Sequence, residues 1–398
     1  MKEFSQHKLK FDTYLEKLYQ SNKPLIIYKV EGGYNIYTDF SKKIILTKKN
    51  IEKFLNSFSS KKFKKETDLF IGFFGYELLC SLLNIEAKNQ KNMKFYKGIF
   101  YKPETIIKIR KKITVHSNLK KARFNNFFQK TKILTPFKLN IDFNKYQKIF
   151  NIFSKKIKQG ETYQIKVCTK YKNRSIINPV NFFWKLMKIN SSPESFMIRD
   201  KDYSIVSCSP ETLIDRAGNS ITTKPIAGTL KKNKHTNISK AKIFFRNNIK
   251  ETKEHNMIVD LERNDLSRIC IPGTVKIIKQ KYVEEYKHLY HYVTSINGKL
   301  NNKVSVKDII KSMMPGGSVI GCPKVRTLEL LNHQEKEDRN IFTGSFGFIK
   351  FNEDMRFNII IRSILNFKYS SEISAASGVV LDSNSKKEFN ENFIKAKS

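Results

Sequence analysis

The sequence has no C-x-x-C pair and no zinc-ligand spacing. Its five cysteines, Cys80, Cys168, Cys208, Cys270 and Cys322, are scattered and odd in number. This excludes a disulfide framework and points to reduced cysteines in a cytoplasmic protein. No stretch approaches the ~18 apolar residues that a membrane span requires. Met1 to Lys10 is polar and holds no signal core, so no membrane partner is expected. A Walker loop, a Rossmann fingerprint and a nucleophile elbow are all missing, as are internal repeats and low-complexity linkers. Acidic residues are scarce: 36 Asp and Glu stand against 75 Lys and Arg, a net charge of +39. Such a charge raises the question of nucleic acid. However, the lysines are spread along the whole chain, Ile, Asn and Phe are also abundant, and no basic–aromatic interleaving occurs. That is the bias of AT-rich coding, so no nucleic-acid partner is expected. The positive field would still draw in an acidic small molecule.

What is present is apolar material for a large core or two packed lobes: 40% hydrophobic and 12% aromatic residues over 398 positions. Residues 1–135 read as a smaller N-terminal lobe. It has strand-like runs at Pro24–Val30 and Ile106–Val115, a helical patch near Ile51–Phe58, and a buried apolar piece, Leu69–Cys80, that joins the lobes. A second domain is expected over 140–398. It opens with a helix in which Phe143, Tyr146, Phe150, Phe153 and Ile157 recur at three- and four-residue spacing before Gly160 stops the run. Strands are expected at Tyr203–Ser207, Ser220–Lys224, Thr343–Phe351, Phe357–Leu365 and Ile373–Leu381. Helices are expected at Ser239–Leu266, Ser305–Met313 and Pro323–Gln334, the last with proline in its first turn. Mixed elements without regular βα alternation indicate an α+β layered fold.

Two carboxylate pairs carry chemical interest. Glu251 and Glu254 stand three apart and so share a helix face, as do Glu388 and Glu391. Together they would offer four hard oxygen donors to Mg²⁺. Spacing leaves other readings open: Glu388 also fits a capping box with Ser385, and Glu251 and Glu254 fit a solvated face. Glycine-rich turns occur at Pro225–Thr229 and Pro315–Ser318, and Gly321-Cys322-Pro323-Lys324 opens a helix; each suits an anion or an ordinary tight turn. Arg362 lies in the very apolar run Phe357–Leu365 and needs a carboxylate from the protein or from a ligand.

Taken in order, five segments resemble the chorismate-utilising enzymes. They are Ser209-Pro210-Glu211, Pro225–Thr229, Glu254–Asp265, Pro315–Arg326 and Gly378–Ser383. The resemblance covers roughly residues 140–398, and the N-terminal lobe resembles more weakly the first region of anthranilate and aminodeoxychorismate synthase components. It implies two packed β-sheets flanked by helices, with the active site between them. It further implies that Glu254 and Glu391 are direct Mg²⁺ ligands, with Glu251 and Glu388 acting through water. Glu211 and His291 are implied as the acid–base pair. Substrate contacts are implied for Gly228, Thr229, Ser318, Lys324, Phe342 and Arg362, and for an Ala376-Ser377-Gly378 turn that cradles a carboxylate. Ser318 stands where the family often has Thr, Phe342 where it usually has Tyr, and Ala376 where it has Gly.

Two positions separate the branches of the family. Isochorismate-forming relatives carry a water-activating Lys at the place of Gln164, so Gln164 favours ammonia as nucleophile. Aminodeoxychorismate synthases commonly carry Lys at the place of Ala227. Ala227 therefore favours direct attack, giving anthranilate and pyruvate from chorismate. Pro315–Ser318, Phe357–Arg362 and the lack of a Leu-Leu-Glu-Ser stretch resemble the aminodeoxychorismate branch, which stays the alternative. With no recognisable glutaminase Cys–His pair in the chain, ammonia is expected from a separate glutamine amidotransferase.

Overall fold

Strands Leu25–Val30 and Leu69–Phe74 read as apolar runs whose alternate residues enter different cores, so both of their faces must be covered. In strand Leu25–Val30, Ile26 and Tyr28 enter one core while Leu25 and Ile27 enter another. In strand Leu69–Phe74, Ile71 and Phe73 join the first core and Phe70 and Phe74 a third. The computed structural model describes residues 14–85, 95–118, 130–233, 235–286 and 289–397.

The strands form one hydrogen-bonded ladder folded into two halves. One half runs from Gln164–Ile176 through Ser370–Val379, Ser363–Asn366, Ser204–Ser207 and Phe196–Arg199 to Leu25–Val30. The other runs from Leu69–Phe74 through Ser345–Lys350, Met355–Asn358, Thr212–Ala217 and Ser220–Lys224 to Leu289–Lys299. The long strands Gly33–Leu46 and Gly98–Ile109 serve both halves, with a register shift between Phe40 and Lys42 at the corner. Between the halves lies an aromatic core in which the Phe196 and Phe346 rings stack at 3.8 Å and Tyr28 meets Phe346 edge-on at 5.2 Å. Helices cover the outer faces. Ile51–Asn56, Tyr76–Leu82 and Val306–Met313 lie on one side, and Pro179–Ile189 on the other. The expected α+β fold of two packed sheets flanked by helices is therefore present, its halves continuous through the shared strands. N-terminal strands pair directly with C-terminal ones, Leu25–Val30 with Phe196–Arg199 and Leu69–Phe74 with Ser345–Lys350, so residues 1–135 and 140–398 meet in one ladder. Among the described residues no helix is long and apolar enough to cross a membrane.

Four local expectations need correction. Ile106–Val115 is a hairpin, because the chain turns at residues 110–112 into strand Ile113–Ser117. The helix expected over Ser239–Leu266 is two, Ile238–Asn247 and Ile249–Ser267. Asn248 is extended and its side chain accepts the Glu251 N–H at 3.2 Å, so it caps the second helix. The Ala376-Ser377-Gly378 segment is not a turn but part of strand Ser370–Val379, opposite Cys168, Val167 and Lys166. The run Phe357–Leu365 is not one strand. Residues up to Asn358 belong to one half and those from Ser363 to the other, and Arg362 makes the crossing at φ 51°. A neighbouring segment crosses in parallel fashion between Ser207 and Thr212. The two crossings are tied by Cys208 N–H to Arg362 O at 3.1 Å and Ile359 N–H to Glu211 O at 3.2 Å.

Candidate active site

These paired crossings place Glu211 and Arg362 side by side where the sheet halves part. The Glu211 carboxyl is buried and Oε1 accepts the Ser318 hydroxyl at 2.8 Å. Burial pushes its pKa up to about 7, although Ser318, a backbone N–H, Lys166 and Arg362 all favour the ionised form. Ser318 comes from the short helix Gly317–Ile320, which follows the glycine-rich turn.

His291 is fully buried on strand Leu289–Lys299. Arg362 Nη1 lies 3.4 Å from His291 Nε2, and His291 Nδ1 lies 3.4 Å from the Gly228 carbonyl. An arginine only donates, so Nε2 accepts and the ring proton sits on Nδ1, facing Gly228 O. Burial, with Arg362 adding to it, lowers the His291 pKa to about 3 and keeps the ring neutral. Arg362 itself is lowered from its ordinary value by burial. Among the described residues no carboxylate lies within ion-pair distance of it. A buried guanidinium in that condition suits the carboxylate of a ligand.

Gly228 lies on strand Ile226–Lys231, at a register shift and at φ 105°. A Cβ there would come within 2.9 Å of the Phe245 ring and 3.1 Å of Glu251 Oε2. Ala227 is buried beside it, and its carbonyl lies 3.3 Å from His255 Nδ1. The other His255 nitrogen meets Thr294 Oγ1 at 2.6 Å, and burial lowers the His255 pKa to about 4. A neutral His255 thus pins helix Ile249–Ser267 to the sheet and orients Glu254, one residue earlier. The Thr229 backbone pairs with His291, but the Thr229 side chain lies outside the described residues.

Glu254 Oε1 accepts from two groups of one strand, Gln164 Nε2 at 2.9 Å and Lys166 Nζ at 2.9 Å. Lys166 is the main reason that the Glu254 pKa falls to about 2. Glu391 sits on helix Ser385–Lys397 with Lys395 Nζ 2.7 Å away. Glu388, on the same helix, is buried and accepts from Ser383 Oγ at 3.0 Å. Asn384 caps this helix, accepting the Lys386 and Lys387 N–H groups at 3.1 Å, in the place that the alternative reading gave to Ser385. Glu254, Glu391 and Glu388 all act electrostatically on Lys166.

The Mg²⁺ implied by the family resemblance would find carboxylate donors here. Glu254, Glu391 and Glu388 are hard oxygen donors gathered around Lys166, while Glu251 Oε2 lies toward Gly228. Among the described residues, however, no three such side chains stand together as a ready metal cage.

The remaining expected contacts are divided between this cluster and its surroundings. Lys324 is buried in an ion pair with Asp265 at 2.5 Å and donates to Ser312 O at 2.8 Å. Its ammonium serves the protein interior beside Glu262, whose pKa burial raises to about 8. Ser377 turns its hydroxyl to Tyr146 at 3.0 Å, while Gly378 faces Gln164 and Lys166. The Ala376 carbonyl accepts from Lys395 at 3.1 Å. Phe342 is buried near Arg339, 6.0 Å from its guanidinium carbon. Two residues escaped the sequence reading. Lys166 stands two residues beyond Gln164, so strand alternation puts both on one face. Arg339, paired with Glu335, holds the Lys166 carbonyl at 2.8 Å.

The family model for chorismate binding enzymes matches residues 15–398. The chain belongs to the chorismate binding enzyme family. Aminodeoxychorismate synthase component 1 of Bacillus subtilis (strain 168) is 36% identical over 246 residues, which is 61% of this chain and 52% of that protein. Anthranilate synthase component 1 of Saccharolobus solfataricus is 32% identical over 256 residues, 64% of this chain and 61% of that protein. The chain thus spans about half the length of the curated relatives it matches. Among solved structures, anthranilate synthase component I from Streptococcus pneumoniae TIGR4 superposes with a TM-score of 0.76 at 24% identity, covering 94% of this chain and 89% of that one. The isochorismate synthase MenF from Escherichia coli also reaches 0.76, at 15% identity, covering 96% and 89%. At these identities both show the fold alone.

Proposed function

We propose that this chain is the synthase component of a chorismate aminase, which adds ammonia to chorismate and releases anthranilate and pyruvate. The observation that carries the reading is the buried Glu211–His291–Arg362 group, a carboxyl raised to about pKa 7, a neutral imidazole and a guanidinium with no described carboxylate in ion-pair contact. With a pKa near 7, about half of Glu211 holds a proton at neutral pH to give to a departing ring hydroxyl. Ser318 occupies Oε1, leaving Oε2 to carry that proton. Arg362 would take a substrate carboxylate bidentately, and His291 Nε2, already facing Arg362, would border the same ligand. Glu254 and Glu391 would hold Mg²⁺ directly, and Glu251 and Glu388 through water; the bound ion would supply positive charge against a substrate carboxylate.

Gln164 has no proton to gain or lose and donates to Glu254, which disfavours water activation at that point and favours ammonia. The ammonia would come from a glutamine amidotransferase partner. Ala227 offers no amine for a covalent adduct, which favours direct attack and anthranilate. A second reading, aminodeoxychorismate synthase component I, draws on the 36% identical relative of that name. To test the proposal, the purified chain is incubated with chorismate, Mg²⁺ and ammonium across about pH 7–8.5, where protonated Glu211 and free ammonia coexist. Fluorescent anthranilate with equimolar pyruvate is expected. A product that yields 4-aminobenzoate only after a lyase is added selects the second reading, and no loss of chorismate refutes both.

A further inference from the structure

We propose that the Lys166 ammonium is a built-in counter-ion of the metal carboxylates, which a divalent cation must displace from Glu254 in order to bind. The inference rests on the reading of Glu254 and Glu391 as metal ligands, and adds a residue that works against the ion.

Lys166 is placed deliberately by its surroundings. It lies on strand Gln164–Ile176, opposite Gly378, and its side chain is only 10% exposed. A Cβ at residue 378 would stand 2.8 Å from Lys166 Nζ and 2.6 Å from Gln164 Nε2, so glycine there makes room for the lysine to lie across the site. Arg339 fixes the Lys166 backbone from behind through the carbonyl, at 2.8 Å. The ammonium then meets Glu254 Oε1 at 2.9 Å. Two more carboxylates, Glu391 and Glu388, pull on it from the C-terminal helix.

An ammonium so placed does for the carboxylates what a metal ion would do, with one charge instead of two. It keeps a group of like charges folded together when no metal is present. It also competes. Glu254 Oε1 already accepts two hydrogen bonds, one of them charge-assisted, and a metal–oxygen bond there requires Nζ to leave. Any Lys166 ammonium left nearby repels the incoming dication in a poorly solvated site. Glu391 is likewise held by Lys395, but that pair is exposed, at 45% and 43%, and yields at little cost. Lys166 is therefore the group that sets the affinity.

The test is calorimetric titration of Mg²⁺ into the metal-free protein, with Mn²⁺ electron paramagnetic resonance as a second probe. The wild type is compared with Lys166→Met, Lys166→Gln, which keeps a donor for Glu254, and Lys166→Arg, which keeps the charge. The two neutral variants should bind Mg²⁺ more tightly by about tenfold or more, and Lys166→Arg should not. In thermal melts the neutral variants should gain more from added Mg²⁺ than the wild type does. Circular dichroism identifies the neutral variant that keeps the wild-type fold, and either one suffices. Equal Mg²⁺ affinity in wild type and neutral variants overturns the role of Lys166 and leaves the metal reading standing. Absence of Mg²⁺ binding in every variant overturns both.

Discussion

Replacing Glu211 by glutamine separates what this carboxyl costs the fold from what it does for the reaction. Glutamine keeps the side-chain length and an oxygen to accept from Ser318, now 2.8 Å away, but never ionises. In the native protein burial raises the Glu211 pKa from 4.5 to about 7. That difference corresponds to ~3 kcal/mol in favour of the protonated folded state. Below the unfolded value of 4.5 both states hold the proton, and the variant and wild type should agree within ~1 kcal/mol. Between 4.5 and 7 the unfolded chain releases the proton while the folded chain keeps it, so wild-type stability drains away relative to the variant. Above 7 the deficit is complete, and Glu211→Gln should be more stable by ~3 kcal/mol. Urea unfolding of both proteins at about pH 4 and about pH 8.5 measures this difference. Chorismate consumption should fall by about 10²–10⁴-fold, the usual contribution of a positioned acid. An equal stability difference at the two pH values would show that Glu211 ionises normally. Activity within about tenfold of wild type would show that it is not the acid.

Other perturbations probe the neighbours of Glu211. Arg362→Lys keeps a charge but loses the planar fork, so the KM for chorismate should rise on the order of 10²-fold with little change in melting temperature. A large fall in melting temperature would mean that the arginine serves the fold instead. Gly228→Ala forces a methyl group into left-handed backbone against the Phe245 ring and Glu251, and should destabilise by ~2–3 kcal/mol in chemical denaturation. His255 keeps a pKa of about 4 against 6.5 unfolded, so its contribution is full above 6.5 and is lost as pH falls toward 4. His255→Gln should therefore flatten the acid limb of the stability–pH curve by up to ~3 kcal/mol, and an unchanged limb would refute the neutral, buried assignment.

Local patterns were read well where they depended on neighbours along the chain. The helix Phe143–Lys158 follows its apolar spacing and buries Tyr146, Phe150, Phe153 and Ile157. The helix Val306–Met313 starts at a Ser305–Asp308 capping box. The helix break at Asn248 and the strand break before Arg362 were not legible, because apolar periodicity continues across both. Asn248 acts through a side-chain cap, and the break at Arg362 arises because the chain passes from one half of the sheet to the other.

Sequence alone therefore determined the inventory: which faces are apolar, where two glutamates share a helix face, and that a lone arginine in an apolar run needs a partner. Those properties depend on residues within a few positions of one another. The tertiary structure alone decided what each charge meets. Lys324 found Asp265, 59 residues away, and became an interior ion pair. Lys166 found Glu254 across 88 residues, and Arg362 found His291 across 71, with no described carboxylate within ion-pair distance. The ionisation of Glu211 follows from burial between two crossing segments. The energy of a buried charge depends on its solvation and its partner, and both are set by contacts distant in the chain.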